Sequence, residues 1–520
     1  MSTQSHLAGG TSSTIHGVVR YAISNDLNTL NPVIGGLAYE NAIEEAIFSG
    51  LIKLDGREHL VPDLATDVPS PSNGGVSADG RTITYHLRHG VLWQDGQPLT
   101  SADVAFTFAR ITDPNVNAPN SAPYTHVARV STPDPYTVVV HLKEPWAPAI
   151  AQLFCNGENG SIIPKHALEH ITDFNRDAFG VHPIGSGPLQ LVRWERGSHI
   201  ILGPNAHYFG GAPKIKKVDV FIVPDANTRL TMLSARELDV VQIGNPNQVT
   251  RLRQLPGYRV ELVQYPAIWF LTFEVTRAPF DDVAIRKALA MALDRKRLVR
   301  RTFVGTAVVA DSFIPPFNWA YEHDNGAPAF DLPEAQRILD AAGWRVGPDG
   351  VRFRGERKIE FTLSIATGSA IAYSLAQQMQ QAWREIGANV HIQSFPLNVL
   401  RSPTGLWTTG RFDVDLGRLI LDPDPDRSAN LGSQFMGARG FNNGRYASAR
   451  SDMLTAKAVA AYDHAARKAV YVRLQRLWNS DLPVVPLAWD EAIYVVNSDM
   501  HGFQAEPVNS DFWNVNDWKI

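Results

Sequence analysis

The sequence predicts a mixed α/β protein, because segments with the period of a β-strand alternate with segments that have the period of a helix. Residues 268–275 are rich in aromatic and β-branched side chains, and Pro279 separates them from an amphipathic helical pattern. Residues 371–386 repeat apolar side chains at helical spacing, and residues 390–392 then alternate as a strand does. A sheet covered by helices buries both kinds of apolar face.

Length and composition limit the class of protein. The chain has 520 residues, of which 44% are apolar and 19% charged, with a formal net charge of −4. This length predicts three or four domain-sized units. The arginines are scattered, which argues against a nucleic-acid partner, because phosphate binding needs a clustered basic surface. The single cysteine, Cys155, excludes an internal disulfide and a zinc site built from cysteines.

The common catalytic and cofactor motifs are absent from the sequence. There is no P-loop, no dinucleotide-binding glycine pattern and no HExxH, and the sixteen histidines show no metal-ligand spacing. The IGSGPL stretch at 184–189 does not have the spacing of a nucleophile elbow. We therefore expect a binding protein with no catalytic residue, metal or cofactor. A hydrolase is the alternative of another class, because catalytic groups can meet from distant parts of a chain.

In the first half of the chain, the patterns predict a strand at 18–23, a polar loop that ends at Pro32, and a helix that Gly50 stops. Residues 81–97 alternate on both sides of a central glycine and predict a β-hairpin. Thr100 is followed by an acid at the third helical position, which is typical of a capping box.

In the second half, the patterns predict a single helix after the central strand. Asp281 or Asp282 can cap its start, and the basic residues at 295–300 suit the negative end of its dipole. Asp331 begins a further capping box. A last strand is predicted near 483–487.

Four stretches of sequence carry a resemblance to a known family. They are DLNTLNP with the IFSGLI run that follows, YHLRHGVLWQDGQPLTSADVAFTFAR, IGSGPL, and the PFDD turn with IRKAL and ALDR after it. Together they resemble the bacterial extracellular solute-binding proteins of family 5, which are typified by dipeptide- and oligopeptide-binding proteins of ABC transporters. The resemblance spans roughly residues 17 to 520.

The resemblance implies a two-lobed α/β fold, the large (cluster C) form of the periplasmic-binding-protein type II fold, with an extra subdomain in the first lobe and a hinge of two crossings. The crossings are expected near 265–273 and 486–496. The implied divisions are a flexible tail at 1–14, lobe one at 15–47, 183–266 and 490–520, the extra subdomain at 48–182, and lobe two at 267–489.

The resemblance also implies a function. The protein would be the substrate-binding component of an ABC importer, a monomer that captures a short peptide and delivers it to membrane permease subunits. An opine, an oligosaccharide, a nickel chelate or haem are alternative ligands in the same family. The N-terminus has neither the basic start nor the apolar core of a secretory signal. Either the protein is cytosolic, or an export signal has been removed. The resemblance implies the second, a periplasmic or extracytoplasmic protein.

The ligand site is expected around FDVDLGRLILDPDPD, which begins at Phe412. In relatives that bind peptides, an aspartate ten residues after this aromatic receives the ligand's ammonium group, and the count leads here to Asp422. A charge-assisted bond in a closed cleft is short and strong. Leu419 stands where the family usually has tryptophan. The alternative is that Asp422, Asp424 and Asp426 are turn acids between prolines.

Other candidate ligand residues follow from the same resemblance. The backbone of Gly36, Leu37 and Ala38 would meet the ligand, and Tyr124 would lie over it. Trp407 could supply the aromatic surface that Leu419 lacks. No arginine lies in 365–373, where dipeptide binders hold the ligand's carboxylate, so Arg418 or Arg411 is a candidate substitute. The whole candidate set is Asp422, Leu419, Gly36, Leu37, Ala38, Tyr124, Trp407 and Arg418.

Overall fold

The computed structural model describes residues 14–156, 160–505 and 511–520. Most of the tail predicted at 1–14 lies outside the described residues; Thr14, at its end, donates a hydrogen bond of 2.7 Å to Asp499. Within the described ranges, no helix combines the length and the apolar composition needed to cross a bilayer.

The strands are numbered here in chain order. They are β1 (Val18–Ile23), β2 (Ile52–Leu54), β3 (Leu60–Pro62), β4 (Thr82–His86), β5 (Val127–Asp134), β6 (Thr137–Leu142), β7 (Leu189–Glu195), β8 (His199–Pro204), β9 (Lys217–Ile222), β10 (Val240–Ile243), β11 (Tyr258–Phe273), β12 (Ala307–Val309), β13 (Arg345–Val346), β14 (Arg352–Arg354), β15 (Arg357–Lys358), β16 (Glu360–Ala366), β17 (Asn389–Phe395), β18 (Val414–Ile420) and β19 (Val484–Asn497).

The α-helices are α1 (Ala38–Ile47), α2 (Ser101–Ile111), α3 (Ala149–Gln152), α4 (Lys165–Leu168), α5 (Ala226–Ser234), α6 (Val249–Leu252), α7 (Val283–Met291), α8 (Arg295–Phe303), α9 (Leu332–Ala341), α10 (Ala370–Arg384), α11 (Leu397–Arg401), α12 (Leu406–Thr409), α13 (Ser428–Leu431), α14 (Ala449–Ala460) and α15 (His464–Asp481). Short 3₁₀ helices lie at Ala122–His126, Ala178–Gly180, Pro246–Gln248, Ser433–Phe435, Gly437–Arg439 and Val515–Asp517.

A mixed sheet of eleven strands organises the fold. Its order is β17, β16, β18, β11, β19, β10, β1, β9, β8, β7, with β12 beside β19. The two long strands at its centre, β11 and β19, run antiparallel from the pair Tyr258 and Asn497 to the pair Thr272 and Val484. Their register shifts between Gln264 and Ile268, next to Pro266, which has no N–H to donate to the ladder.

The two long strands pass from one hydrophobic core to another. The far end of β11 contributes Leu271 and Phe273 to a core that helices α7 to α10 cover, and Leu487 of β19 joins the same core. The opposite end of β19 contributes Ile493 and Val495 to a core that includes strand β10 and helices α5 and α6. The crossing segments predicted from the sequence lie within these two strands.

The hairpin predicted at 81–97 forms only at its predicted Asp95-Gly96 turn, where the N–H of Trp93 donates to the carbonyl of Gln97 at 2.8 Å. Only its first half forms a strand, β4, and this strand pairs with β6, so that Tyr85 lies opposite Val138. Residues 91–97 form turns with one isolated bridge between Leu92 and Pro98. The alternation in both halves reflects the burial of Tyr85 and Trp93 in the same hydrophobic core. Alternation shows that one face of a segment is buried, but it does not specify which strand is the pairing partner.

The single helix predicted after the central strand is two helices. Asp282 caps α7 by accepting from the N–H of Ala284, as predicted for one of the two acids. Asp294 then caps α8 by accepting from the N–H of Arg297. Arg295 therefore begins a helix rather than ending one. The capping box predicted at Thr100 is confirmed. Asp331 caps α9 by accepting from the N–H of Glu334, but the box predicted there is incomplete, because the N–H of Asp331 donates to the carbonyl of Met291 and Glu334 pairs with Arg337.

Candidate functional site

A cavity of about 390 Å³ opens where the central strands meet. Tyr21 of β1 and Gln242 of β10 line one side, Arg418 of β18 lines the other, and Tyr265 and Asp490 of the two long strands form the floor between them. The volume falls within the range of about 300 to 1,000 Å³ that small-molecule sites occupy. We call this cavity the cleft.

Arg418 is held at the cleft by an ion pair with Asp490, with 2.7 Å between Nε and Oδ2. The indole N–H of Trp269 donates to the other oxygen of Asp490 at 2.8 Å. Burial raises the pKa of Asp490, and Arg418 opposes that rise. The terminal nitrogens of Arg418 make no hydrogen bond to the described residues, so they remain available to a ligand. Arg411, the other candidate, lies on the surface and donates to the carbonyl of Thr404.

Asp422 lies just beyond the end of β18. The N–H of Leu421 donates to the carbonyl of Pro266 at 2.9 Å, which anchors the chain to β11. The side chain of Asp422 is exposed, and its carboxylate accepts no hydrogen bond from any residue that the structure describes. The surrounding protein nevertheless desolvates it and raises its pKa, an effect that Arg427 opposes. A carboxylate that water reaches but that neighbouring protein partly desolvates is typical of a recess in the surface.

A buried arginine shapes the loop that carries Asp422. Arg427 is 1% exposed and donates through Nη1 to the carbonyl oxygens of Asp424 and Asp426, at 2.7 and 2.9 Å. Its Nε donates to the carbonyl of Phe313 at 3.0 Å. Because the guanidinium is planar and rigid, these bonds fix the loop backbone relative to the core.

The other two acids of the loop are committed inside the protein. Asp424 forms a buried bidentate ion pair with Arg467, with N to O distances of 3.0 and 2.9 Å. Asp426 accepts hydrogen bonds from the N–H and the hydroxyl of Ser428. The turn-acid interpretation therefore describes Asp424 and Asp426. The carboxylate of Asp422 stays unpaired among the described residues, two positions beyond Ile420, which lines the cleft; Asp422 itself is not one of the lining residues.

The loop before α1 is only partly available. The carboxylate of Glu40 accepts the N–H groups of Gly36 and Leu37, both at 2.9 Å, and also that of Asn28 at 2.6 Å. Those backbone donors are therefore already used within the chain. Of the three residues, Ala38 alone is among those that line the cleft.

Tyr124 does not lie over the cleft. It is 1% exposed, it packs against the rings of Phe108 and Phe154, and its hydroxyl accepts the N–H of Phe154 at 3.1 Å. The expectation that it covers a ligand is corrected to a role in the core, because a proline-rich loop around it folds as a 3₁₀ turn that directs the ring inward.

Trp407 and Leu419 line a second, smaller cavity of about 40 Å³. Arg401 lies over the Trp407 ring, 5.5 Å from its centroid. Asp415 also lines this cavity; it is 4% exposed, and its Oδ1 has no hydrogen-bond partner. Burial raises the pKa of Asp415 to about 7, and the nearby indole of Trp407 opposes that rise. We call this the Asp415 pocket. Arg418 lines both cavities.

Three residues of the site were not found from the sequence. Glu40 carries the signal of a capping box, three residues after Leu37, but an apolar residue at the N-cap hides it. Asp415 is an acid within a strand whose neighbours are apolar, which is a signal of a buried charge. No local sequence pattern indicates that Arg427 is buried, because its hydrogen-bond acceptors are main-chain carbonyl oxygens. Among the described residues, no group of three or more potential metal ligands comes together.

Comparison with known proteins identifies related sequences. A model of the bacterial extracellular solute-binding proteins, family 5, matches residues 59–440. Protein XP55 of Streptomyces lividans is 30% identical over 502 residues, which cover 96% of this chain and 88% of that protein. The dipeptide-binding protein of Escherichia coli is 26% identical over 488 residues, covering 87% of this chain and 85% of that protein.

A solved structure shows the same fold. The oligopeptide-binding protein AppA of Bacillus subtilis, in complex with a nonapeptide, superposes with a TM-score of 0.74 at 23% identity, covering 96% of this chain and 98% of AppA. This likeness confirms the predicted mixed α/β, two-lobed fold.

Proposed function

Because the chain belongs to the bacterial extracellular solute-binding proteins, family 5, we propose that it captures a short peptide in the cleft and delivers it to the permease of an ABC importer. The protein would act outside the cytoplasm and release its ligand chemically unchanged. The observation that carries the proposal is Asp422, the acid of its loop that no described residue pairs, held on a loop that a buried arginine makes rigid.

Asp422 would receive the ammonium group of the peptide. The carboxylate is exposed while the ligand is absent and is already partly desolvated, so a bound cation would gain more from it than from a fully hydrated acid. Arg418 would receive the carboxylate end through its free terminal nitrogens. Its bond to Asp490 fixes the guanidinium plane in advance, which lowers the entropy cost of binding.

Closure of two lobes would complete the site. We take residues 15–47, 183–266 and 490–520 as lobe one, 48–182 as its extra subdomain and 267–489 as lobe two, with β11 and β19 as the crossings. Both strands pass from one core to another, which supports a hinge at the register shift near Pro266. A ligand that contacts both lobes favours the closed state by its differential affinity.

The test is a thermodynamic cycle on Asp422. Calorimetry would compare a short peptide with its N-acetylated form, on the wild type and on Asp422→Asn. If Asp422 binds the ammonium, the wild type discriminates against the acetylated peptide by roughly 30- to 4,000-fold, from about 2 to 5 kcal/mol for a buried charge partner. The variant should bind both peptides almost equally.

The control is Asp324→Asn, which makes the same change of charge at a side chain that is 92% exposed and outside both cavities. It should leave discrimination unchanged. Equal discrimination by the wild type and Asp422→Asn would show that the anchor lies elsewhere.

The ligand class needs its own test. Native mass spectrometry of the purified protein would identify a ligand that stays bound through purification. A ligand that binds the folded form raises the free energy of unfolding by about 2.7 kcal/mol at a hundredfold excess over Kd. Thermal shifts with oligosaccharides, opines, haem or nickel chelates and none with peptides would contradict the peptide proposal. Appearance of cleaved peptide would favour the hydrolase instead.

A further inference from the structure

The Asp415 pocket has the composition of a site for an alkylammonium group. Its walls are apolar, formed by Phe270, Phe313, Leu419 and Leu431, and Asp415 is the acid that lines it. Asp415 is buried, whereas Phe441 at the other limit of the pocket is 57% exposed. The difference in exposure places the mouth at Phe441 and the carboxylate at the inner end.

One carboxylate oxygen of Asp415 is buried without a hydrogen-bond partner among the described residues. Oδ1 of Asp415 accepts no hydrogen bond from the described residues, although the side chain is 4% exposed. The indole N–H of Trp407 is near enough to lower the pKa of Asp415, but it too makes no hydrogen bond to the described residues. A buried polar atom without a partner costs about 1 to 3 kcal/mol, and more when it is charged. The two arginines at the pocket do not supply a partner for Oδ1: Arg418 bonds to Asp490, and Arg401 is exposed and lies over Trp407.

A glycine keeps the space in front of the carboxylate open. Gly417 lies two residues after Asp415 on the same face of β18, and a Cβ added there would come 3.5 Å from Oδ2 of Asp415 and 3.2 Å from the Phe270 ring. A side chain at this position would crowd the Phe270 ring beside the carboxylate. About 40 Å³ of space accommodates an ammonium group and one or two methylenes, since a cavity of about 10 to 15 Å³ on the same measure holds one water-sized group.

From this geometry we propose that the Asp415 pocket is a specificity site that binds the side-chain ammonium of a lysine-type residue in the ligand, with the alkyl stem packed between Phe270, Phe313 and Leu419. This inference rests on the proposed peptide-binding function for its ligand class. The pocket is separate from the anchor at Asp422: seven residues of extended chain span on the order of 20 Å, so one amino group cannot contact both acids.

The first experiment tests the pocket without a peptide. Ligand-observed NMR with n-butylammonium, and with n-butanol as the uncharged analogue, would be recorded on the wild type, Asp415→Asn, Gly417→Ala and Asp422→Asn. Butylammonium should bind the wild type and Asp422→Asn in preference to butanol. In the Asp422→Asn background, which removes the other proposed ammonium site, Asp415→Asn should abolish the preference, and Gly417→Ala should abolish binding while it keeps the acid. Butylammonium binding that Asp415→Asn leaves unchanged in that background, or no binding to the folded Asp422→Asn protein, overturns the inference.

The second experiment uses peptides that differ only by an ammonium group. Tripeptides with lysine or norleucine at each position in turn would be compared by calorimetry. At one position the wild type should prefer lysine by about tenfold or more, and Asp415→Asn should bring the ratio close to one while affinity for the norleucine peptide changes by less than about threefold.

The two proposals fail in different ways. Asp422→Asn should weaken both peptides together and keep the lysine preference. If no peptide binds but butylammonium does, the peptide proposal fails and the pocket stands. If peptides bind without any lysine preference, the pocket inference fails and the peptide proposal stands.

Discussion

Arg418 and Asp490 form an ion pair across β11, with 2.7 Å between Nε and Oδ2, where the strands on either side of β11 face the cleft. The pair joins β18 to β19. Trp269, on the strand between them, donates to the same carboxylate and limits its orientation.

The first prediction concerns this pair. Arg418→Ala should lower the free energy of unfolding by about 1 kcal/mol or less, because the arginine is 39% exposed and screened by water. It should reduce affinity for a peptide with a free carboxyl terminus more than for the amide of the same peptide. Arg411→Ala, on the surface and outside both cavities, is the control. An equal loss for acid and amide would exclude Arg418 as the carboxylate partner.

The second prediction separates two acids that are two residues apart. Asp424→Asn should lower the free energy of unfolding by about 3 to 5 kcal/mol, because it leaves the guanidinium of Arg467 buried without its charge partner. Asp422→Asn should leave the stability of the unliganded protein within about 0.5 kcal/mol of the wild type. Chemical denaturation of both variants measures this difference. Similar losses in both would mean that Asp422 is also a structural acid.

The sequence predicts the elements of this fold better than their partners. The strand at 268–275, the strand near 483–487 and the caps at Thr100 and Asp331 follow from local patterns, which depend on a few neighbouring residues. The predicted hairpin at 81–97 did not form as a whole because β4 pairs with β6, which begins forty residues after the end of the predicted hairpin. Alternation does not specify the pairing partner of a strand.

The same limit applies to the candidate site. The family spacing selects Asp422 among three acids, but only the structure shows that Asp424 and Asp426 have partners inside the protein. Tyr124 was misplaced because a tyrosine in a polar loop has no local sign of burial. The role of Arg427 could not be predicted, because it donates to main-chain carbonyl groups, which every residue type has.

The third prediction concerns the pH dependence of stability. Burial raises the pKa of Asp415 to about 7 in the folded protein, against about 3.9 in the unfolded chain. The folded state therefore keeps a proton that the unfolded state has lost between these values. The stability that Asp415 contributes is full below about pH 4 and is lost as pH rises to about 7, a difference of roughly 4 kcal/mol.

Denaturation of the wild type and Asp415→Asn at several pH values checks this. The wild type should lose stability relative to the variant from pH 4 to pH 8, with a slope near 1.4 kcal/mol per unit in the middle. Subtracting the variant removes the contribution of other buried acids such as Glu44, whose pKa burial also raises. A constant difference between the two proteins would show that Asp415 does not titrate in this window.

The fourth prediction concerns the contact of Gly80 and Trp146 with the turn between α14 and α15. The hydroxyl of Tyr462, in the turn between α14 and α15, lies 3.1 Å from the carbonyl oxygens of both Gly80 and Trp146. The N–H of Ala147 donates to the carbonyl of Val459 at 2.6 Å beside it. These bonds link segments that are more than 300 residues apart. On the proposed division of the chain, they would join the extra subdomain to lobe two.

If these bonds form only in the closed state, Tyr462→Phe should shift the equilibrium toward open without changing the cleft itself. Losing one hydroxyl that bonds to carbonyl groups costs about 0.5 to 1.5 kcal/mol, so ligand affinity should fall by roughly 2- to 13-fold through the population of the closed state. The radius of gyration without ligand should increase, and saturating ligand should restore the wild-type value, which small-angle scattering measures. Tyr373→Phe, at an exposed tyrosine of α10, should change neither quantity. Weaker affinity with an unchanged radius of gyration would place the effect in the binding site rather than in closure.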